Sequence, residues 1–257
     1  MLLTLIAVAH STHLTTPHGL SLAPLPALIA HRGASRECTE NTLPAFERAL
    51  ARGADGIELD VHATRDGVVV VHHDPTPQPA PNGTAHAVPF AQLDHGAVRA
   101  MALADGERIP SLSEVLELVG DSADLFVEIK GHGIEQQVVR TIRDASAPGR
   151  CAIHSFDHRA VRRARGLAPE VRGGILLSSY LVDTVTALRS ARATDLWQWW
   201  EHIDQPLVDE IHSAGGRVIA WTVNDPGVAR SLASMGVDGL CTDDVRLLSG
   251  ALAHTTA

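Results

Sequence analysis

The stretch GIELDVHATRDGVVVVHHD, residues 56–74, decides the fold. It predicts two buried β-strands, and the short segment HATRDG between them is too short for a parallel crossover. The second strand must therefore fold back on the first as a hairpin. These apolar strands also carry acids and histidines, which are costly to bury without partners.

Short apolar runs, each typical of a buried strand, recur along the chain and alternate with helical patterns. They cover residues 27–31, 56–61, 125–130, 151–156, 173–177, 194–199, 217–223 and 238–242. This alternation favours a (β/α)8 TIM barrel of the α/β class over an open doubly wound sheet, since no GxGxxG follows the first strand. We expect one barrel domain over 27–250, a small insertion after the second strand at about 68–120, and an N-terminal arm over 1–26.

Composition limits the possible partners and compartment. A formal net charge of -9 argues against a nucleic-acid partner. Cys38, Cys151 and Cys241 form no CxxC pair and indicate free thiols in a reducing compartment. The apolar run over residues 2–9 is too short to span a bilayer and has no basic residue before it, which argues against stable membrane insertion and a secretory signal. We expect a cytoplasmic protein with a small-molecule substrate; the oligomeric state stays open.

The hairpin brings charged side chains together. Strand alternation places Glu58 and Asp60 on one face. The turn of the hairpin can be centred at three positions, each of which gives a different strand register. Two of these registers set His73 opposite Glu58 or Asp60, and the third sets it opposite Leu59. The pattern favours a cluster of Glu58, Asp60 and His73, with His72 pointing the other way.

The neighbouring strands add to this cluster. Glu128 lies in the apolar run LFVEIK with Lys130 on the same face, and His31 and Arg32 end the first strand. All these positions are C-terminal strand ends, where TIM barrels carry their active sites. Carboxylates without nearby cysteine favour Mg²⁺ or Ca²⁺. Three acids and such an ion leave a charge of about -1, so Arg32 and Lys130 can also balance a monoanionic phosphate ester. His31 and His73 can serve as general base and acid.

Motifs in a fixed order support this chemistry: HRG (31–33), ENT (40–42), ExD (58–60), HD (73–74), EIK (128–130), SFD (155–157) and WTVN (221–224). With them the chain resembles the glycerophosphodiester phosphodiesterase family, especially its small bacterial cytosolic members, from about Leu28 to Leu248. The resemblance implies a barrel of the phospholipase C-like phosphodiesterase type. It also implies hydrolysis of a glycerophosphodiester to an alcohol and glycerol 3-phosphate.

The resemblance assigns functional residues as well. The family's metal ligands match Glu58, Asp60 and Glu128, its acid/base pair matches His31 and His73, and its phosphate contacts match Arg32 and Lys130. We expect His31 to deprotonate the nucleophile and His73 to protonate the leaving alcohol.

Other residues are expected near the site. Trp221 either completes the barrel core or packs against the glycerol moiety, and Phe156 is expected to form an apolar wall. Glu40 is expected beside the metal or behind its ligands. Asn41 is either a helix N-cap or a substrate contact, and Asp74 either closes a turn or orients His73.

The chain departs from the family pattern in places. Thr39 stands before ENT where a proline is common, and TDDV (242–245) replaces TDxP. We expect the latter to alter the loop after the last strand without touching a predicted ligand. The tryptophan-rich segment LWQWWEHID (196–204) leaves substrate preference open. The alternatives are a phospholipase D-like enzyme acting on lysophospholipid or sphingomyelin, and a non-catalytic phosphate-binding barrel.

Overall fold

A computed structural model describes residues 25–77, 88–103 and 105–253, and within them eight parallel strands close into a barrel. A short strand, β3, is added antiparallel to β2. The nine strands are β1 (Ala27–His31), β2 (Gly56–Ala63), β3 (Val69–Val71), β4 (Asp124–Ile129), β5 (Cys151–Ser155), β6 (Arg172–Leu177), β7 (Asp195–Trp199), β8 (Arg217–Trp221) and β9 (Gly239–Thr242). The sheet order is β1-β9-β8-β7-β6-β5-β4-β2-β3, and pairing of β1 with β2 closes the barrel. The predicted fold class is confirmed.

Helices follow the strands and cover the outside of the barrel. They are α1 (Leu43–Ala51), α2 (His95–Arg99), α3 (Leu112–Val119), α4 (Glu135–Arg143), α5 (His158–Leu167), α6 (Thr184–Ala191), α7 (Gln205–Ser213), α8 (Pro226–Met235) and α9 (Val245–Ala253). Their starts are encoded locally, as at α3, where Ser111 and Glu114 form a capping box. At α1 the N-cap is Thr42 and not Asn41, because the Thr42 hydroxyl accepts from the backbone of Ala45. Within the described ranges, no helix has the length and apolar character needed to cross a bilayer.

The insertion after β2 is shorter in the structure than the predicted span of 68–120. Helix α3 buries Leu112, Val115 and Val119 in the main core and packs against α1 and α4, so it belongs to the outer ring of helices. The described part of the insertion comprises β3, α2 and the turns around them. Of the predicted N-terminal arm, residues 1–24 lie outside the described residues, as do residues 78–87 of the insertion.

Two layers of side chains fill the barrel. The lower layer is apolar: Ile29, Phe126, Ala152, Leu176, Trp197, Ile219 and Cys241. Moving two residues along a strand keeps a side chain on the same face. The next inward positions on β1, β4 and β5 are therefore His31, Glu128 and His154. The barrel thus carries a polar layer at the C-terminal ends of its strands, directly above an apolar floor.

The hairpin adopts the third of the three registers considered. Val61 pairs with Val71 and Ala63 with Val69, a register that would set His73 opposite Leu59. The prediction that strand pairing places His73 opposite an acid is therefore wrong. β3 ends at Val71, and His73 lies in the turn that follows, where the chain is free to leave the direction of the ladder.

The same register corrects the predicted orientation of His72. Its backbone N–H donates to the Asp60 carbonyl oxygen at 2.9 Å, so the two residues oppose each other and share a face. The ring is buried and packs on Phe90, with the centroids 5.3 Å apart, and Phe90 also stacks on His62. His72 contributes to the packing beneath the insertion.

Candidate active site

His31 ends β1, and its ring is held by a residue from the loop after β9. Its Nδ1 lies 2.7 Å from Asp243 Oδ1, and its Nε2 lies 4.0 Å from Glu58 Oε2. Asn224 in turn donates from Nδ2 to Asp243 Oδ2 at 2.7 Å. In the neutral ring the Nδ1–H donates to Asp243, which leaves the Nε2 lone pair facing the site. Asp243 belongs to the TDDV loop, so this loop contacts a predicted catalytic residue, His31, which the sequence did not indicate.

The charges around His31 favour its protonated form. Burial lowers the pKa of His31, but the hydrogen bond with Asp243 and the charge of Glu58 outweigh it, and the pKa is raised above the ordinary 6.5. Burial likewise raises the pKa of Asp243, but its bond to His31 outweighs this and the pKa is lowered. The pair therefore combines a carboxylate with a lowered pKa and an imidazole with a raised pKa.

His73 is held between an acid and a cation. Its Nδ1 lies 2.9 Å from Asp74 Oδ1, and its Nε2 lies 3.2 Å from Lys130 Nζ. Lys130 is the only lysine in the sequence, and its ammonium is also 3.3 Å from Glu128 and 3.7 Å from Asp60. An ammonium can only donate, so the His73 ring accepts at Nε2 and is neutral in this arrangement. His73 thus reaches the predicted cluster through Lys130, and Asp74 orients it.

Arg32 turns into the site at the residue after β1. It adopts the left-handed conformation, with φ 58, and its backbone N–H donates to the Glu58 carbonyl oxygen at 2.9 Å. Its guanidinium lies 2.9 Å from Glu40 Oε1 and 3.1 Å from Asp60 Oδ2. This backbone conformation is costly for a residue with a Cβ, and the hydrogen bond and ion pairs offset that cost.

The three predicted acids lie together in the polar layer. Glu58, Asp60 and Glu128 are 3%, 1% and 8% exposed, and the strand register sets Asp60 directly beside Glu128. Burial, followed by the charges of Asp60 and Glu58, raises the pKa of Glu128 to about 8. Burial also acts to raise the pKa of Asp60, but Arg32 and Lys130 outweigh it and the pKa is lowered. The carboxylates therefore repel one another, and a divalent cation among them would relieve this repulsion.

Atoms that could bind such a cation are present. Ligand atoms of Glu58, Glu128 and His154 lie within 4.8 Å of one another. Asp60 has one oxygen, Oδ2, bonded by Asn41 Nδ2 at 2.9 Å, while its buried Oδ1 has no hydrogen-bond partner among the described residues. The set of carboxylates and one imidazole fits a divalent cation. Sequence reasoning missed His154, although its signal is visible: it is the single polar residue at an inward position of the run CAIHSF.

A cavity of about 110 Å³ opens above this layer. Its lining combines apolar and aromatic side chains with polar ones, which are His31, Arg32, Glu58, His73, Glu128, Lys130 and His154. Trp221 lines it, and Phe156 and Trp199 meet the Trp221 ring edge-on at 5.5 and 5.3 Å. Trp199, from the tryptophan-rich segment, was not among the predicted site residues. The cavity lining therefore contains both charged and aromatic side chains.

The comparison with known proteins fits this geometry. Residues 31–247 match the family model described as the glycerophosphoryl diester phosphodiesterase family. The chain belongs to this family. A glycerophosphodiester phosphodiesterase of Caldanaerobacter subterraneus is 37% identical over 232 residues, which cover 86% of this chain and 95% of the relative. The predicted family and the assignment to the phosphoric diester hydrolases are confirmed.

Solved structures of family members have the same fold. A putative glycerophosphoryl diester phosphodiesterase from Silicibacter pomeroyi superposes with a TM-score of 0.82 at 27% identity, covering 90% of this chain and 94% of the other. A phosphodiesterase from Oleispira antarctica, in complex with its product sn-glycerol-3-phosphate, gives a TM-score of 0.79 at 25% identity, with coverage of 89% and 97%. The barrel is therefore that of the family throughout its length.

Proposed function

We propose that this chain hydrolyses glycerophosphodiesters to an alcohol and glycerol 3-phosphate. One observation carries the proposal: His31 and His73, each oriented at Nδ1 by its own carboxylate, face a cavity that also holds buried acids and two cations. The product bound to the Oleispira antarctica enzyme supports this substrate class. The relatives above give no support to a phospholipase D-like enzyme acting on lysophospholipid or sphingomyelin.

The proposed cofactor is a divalent cation, Mg²⁺ or Ca²⁺, held by Glu58, Asp60 and Glu128. Two features support it: the pKa of Glu128 is raised to about 8 by burial and by its acidic neighbours, and the buried Asp60 Oδ1 has no hydrogen-bond partner among the described residues. When bound, such an ion polarises a phosphoryl oxygen and offsets the charge that develops as phosphorus is attacked.

Arg32 and Lys130 would bind the oxygens of the phosphodiester. Both cations already lie beside Asp60, at 3.1 and 3.7 Å, and line the cavity. A phosphate oxygen is a stronger partner for the Lys130 ammonium than a neutral imidazole nitrogen, because the contact is charged on both sides. Substrate binding therefore draws Lys130 away from His73 Nε2 and leaves that nitrogen able to take a proton.

The histidines would then move protons on opposite sides of phosphorus. His31 Nε2 accepts the proton of the attacking hydroxyl, which comes from water or from the 2-hydroxyl of the glycerol, as an oxygen–phosphorus bond forms. Attack by the 2-hydroxyl gives a cyclic phosphate, which water then opens in a second step to glycerol 3-phosphate. Protonated His73 gives its proton to the leaving alkoxide as the other phosphorus–oxygen bond breaks. Asp243 and Asp74 stabilise the positive charge on the two rings. Trp221 and Phe156 would pack against the glycerol carbons.

The test is turnover by the full chain after removal of metal with a chelator. We expect Mg²⁺ or Ca²⁺ to restore release of glycerol 3-phosphate from glycerophosphocholine, glycerophosphoethanolamine or a bis-type diester, followed by ³¹P NMR. Lysophosphatidylcholine and sphingomyelin are the comparison substrates, and a His31→Asn variant controls for contaminating activity. Turnover of lysolipid alone would favour the phospholipase D-like alternative, and binding without turnover under any metal would favour a phosphate-binding barrel.

Cytoplasmic residence is part of the proposal. It is supported by Cys38, Cys151 and Cys241, which are free thiols in the structure, as is usual in a reducing compartment.

A further inference from the structure

His154 lies in the middle of β5 and is 1% exposed, and its hydrogen bonding is incomplete. Among the described residues, its Nδ1 has no hydrogen-bond partner. The nearest acidic oxygen to its Nε2 is Glu58 Oε1 at 3.7 Å, which is beyond hydrogen-bond distance. A histidine that serves only the core normally has its ring nitrogens bonded, because a buried polar atom without a partner is destabilising.

The position of the ring is fixed from below. It stacks on Trp197 with the centroids 4.3 Å apart and the planes within 4° of parallel. Trp197 occupies that place because Gly174 has no side chain: a Cβ there would lie 2.9 Å from the indole ring. The strand register places Glu128 beside His154 on the adjacent strand. The imidazole edge is therefore held toward two acids.

The spacing suits a shared ion. At metal–ligand distances of about 2.1 Å, adjacent octahedral ligands lie about 3.0 Å apart and opposite ones about 4.2 Å apart. The 3.7 Å between His154 Nε2 and Glu58 Oε1 falls between these values, and the ligand atoms of Glu58, Glu128 and His154 all lie within 4.8 Å of one another. Asn41 and Arg32 contact Asp60 Oδ2, which leaves Oδ1 as the atom that Asp60 can offer to the ion.

We propose that His154 is a direct ligand of the divalent ion, so that the site contains an imidazole nitrogen in addition to its carboxylates. An imidazole ligand favours first-row transition ions such as Mn²⁺ or Zn²⁺ over Mg²⁺ and Ca²⁺, which take oxygen ligands. This inference rests on the metal site of the proposed function and deepens it: the site that accepts Mg²⁺ or Ca²⁺ would bind Mn²⁺ more tightly than either.

The first test reads the ligand directly, without substrate. Electron spin-echo modulation of the Mn²⁺-loaded full chain is expected to show a coordinated nitrogen, and uniform ¹⁵N labelling of histidine is expected to change its frequencies. The signal should persist in His31→Asn and in His73→Asn and vanish in His154→Phe, which keeps an aromatic ring against Trp197. No nitrogen coupling in the wild type, or a coupling that survives in His154→Phe, would overturn the inference.

The second test compares affinities by calorimetry on the metal-free protein. His154→Gln and His154→Phe should each weaken Mn²⁺ binding by about 10- to 100-fold, with a much smaller effect on Ca²⁺. The matched control is His158→Gln, since the His158 ring already bonds the Leu176 carbonyl oxygen. A folding defect would lower both affinities together, so the ratio of Mn²⁺ to Ca²⁺ affinity is the measurement. An unchanged ratio of Mn²⁺ to Ca²⁺ affinity in both His154 variants would contradict the inference. Because this test measures binding and not turnover, its result is independent of whether the proposed hydrolysis occurs.

Discussion

Replacing Asp243 by Asn changes one atom and should disable His31. Asp243 Oδ1 accepts from His31 Nδ1 at 2.7 Å and from Ser35 Oγ at 3.3 Å, while Oδ2 accepts from Asn224 Nδ2 at 2.7 Å. An asparagine has only one carbonyl oxygen, which cannot accept from both His31 and Asn224. Asn224 has little freedom to reverse its amide, because its Oδ1 accepts from the backbone of residue 243 at 3.0 Å and from Thr242 Oγ1 at 3.1 Å. The new amide NH₂ group would therefore face His31.

That arrangement favours the wrong tautomer for the proposed role of His31. With an NH₂ donor opposite Nδ1, the neutral His31 ring carries its proton on Nε2, the nitrogen that we propose accepts one. A hydrogen bond to a charged group contributes about 1.5–3 kcal/mol. At about 1.36 kcal/mol for each factor of ten, kcat should fall roughly 10- to 150-fold. KM should change much less, because Asp243 lies behind His31.

The pH profile separates positioning from misfolding. The pKa of His31 is raised by Asp243 and Glu58 against the lowering effect of burial. A base works only when deprotonated, so loss of the Asp243 charge should move the acidic limb of kcat/KM to lower pH. The matched control is Asp244→Asn, one residue later, where the side chain caps α9 by accepting from Leu247 N at 2.9 Å and asparagine can do the same. Asp243→Asn activity within about twofold of the Asp244→Asn control, with an unmoved acidic limb, would refute the reasoning.

Three further predictions test other parts of the molecule. His73→Ala should lower kcat by roughly 10²–10⁴ without changing metal affinity, measured by steady-state kinetics and calorimetry; full activity would remove His73 from the mechanism. Because the folded pKa of Glu128 is raised from 4.5 to about 8, the native metal-free protein binds the extra proton, so its free energy of unfolding should fall as pH rises through this window. Urea denaturation in chelator should show this slope in the wild type and much less of it in Glu128→Gln; equal slopes would contradict it. Arg217→Met leaves the buried Asp195 carboxylate without its guanidinium partner and should lower the free energy of unfolding by about 3 kcal/mol, with kcat unchanged. This value is at the low end for buried ion pairs because the Arg217 side chain is 36% exposed. An unaltered urea midpoint would show that the ion pair does not stabilise the fold.

The parts of the site that the sequence predicted are those fixed by strand alternation. Glu58 and Asp60 must share a face of β2 because they are two residues apart, and Glu128 must face inward because its neighbours in β4 are apolar. The same argument applies to His154 in β5. Its chemistry was overlooked because one histidine among 15 carries little weight until its neighbours are known.

The sequence could not predict contacts that depend on barrel closure or on turn geometry. His31 and Asp243 are 212 residues apart, and they meet because β1 pairs with β9. The hairpin register depends on one residue at the turn, and several positions satisfy the hydrophobic pattern. His73 lies in the turn after β3 and contacts the predicted cluster through Lys130, not through strand pairing. Asn41 occupies a left-handed backbone position, which asparagine adopts more readily than most residues, but its bond to Asp60 depends on how the loop after β1 folds.

Buried charges are paired differently at the two ends of the barrel, and this difference would allow the fold to be stable at one end and to bind the proposed ion at the other. At the N-terminal end, the buried Asp195 carboxylate is matched by the two-nitrogen contact of Arg217. At the C-terminal end, Arg32 and Lys130 are the only Lys or Arg side chains within 4.0 Å of the three carboxylates among the described residues, and burial together with the neighbouring acids raises the pKa of Glu128 to about 8. If each of these carboxylates had its own cationic side chain as a partner, the fold would be more stable, but the site would have little affinity for a cation. The repulsion left in the polar layer is thus available as binding free energy, and it should appear as a gain in stability when the ion is added.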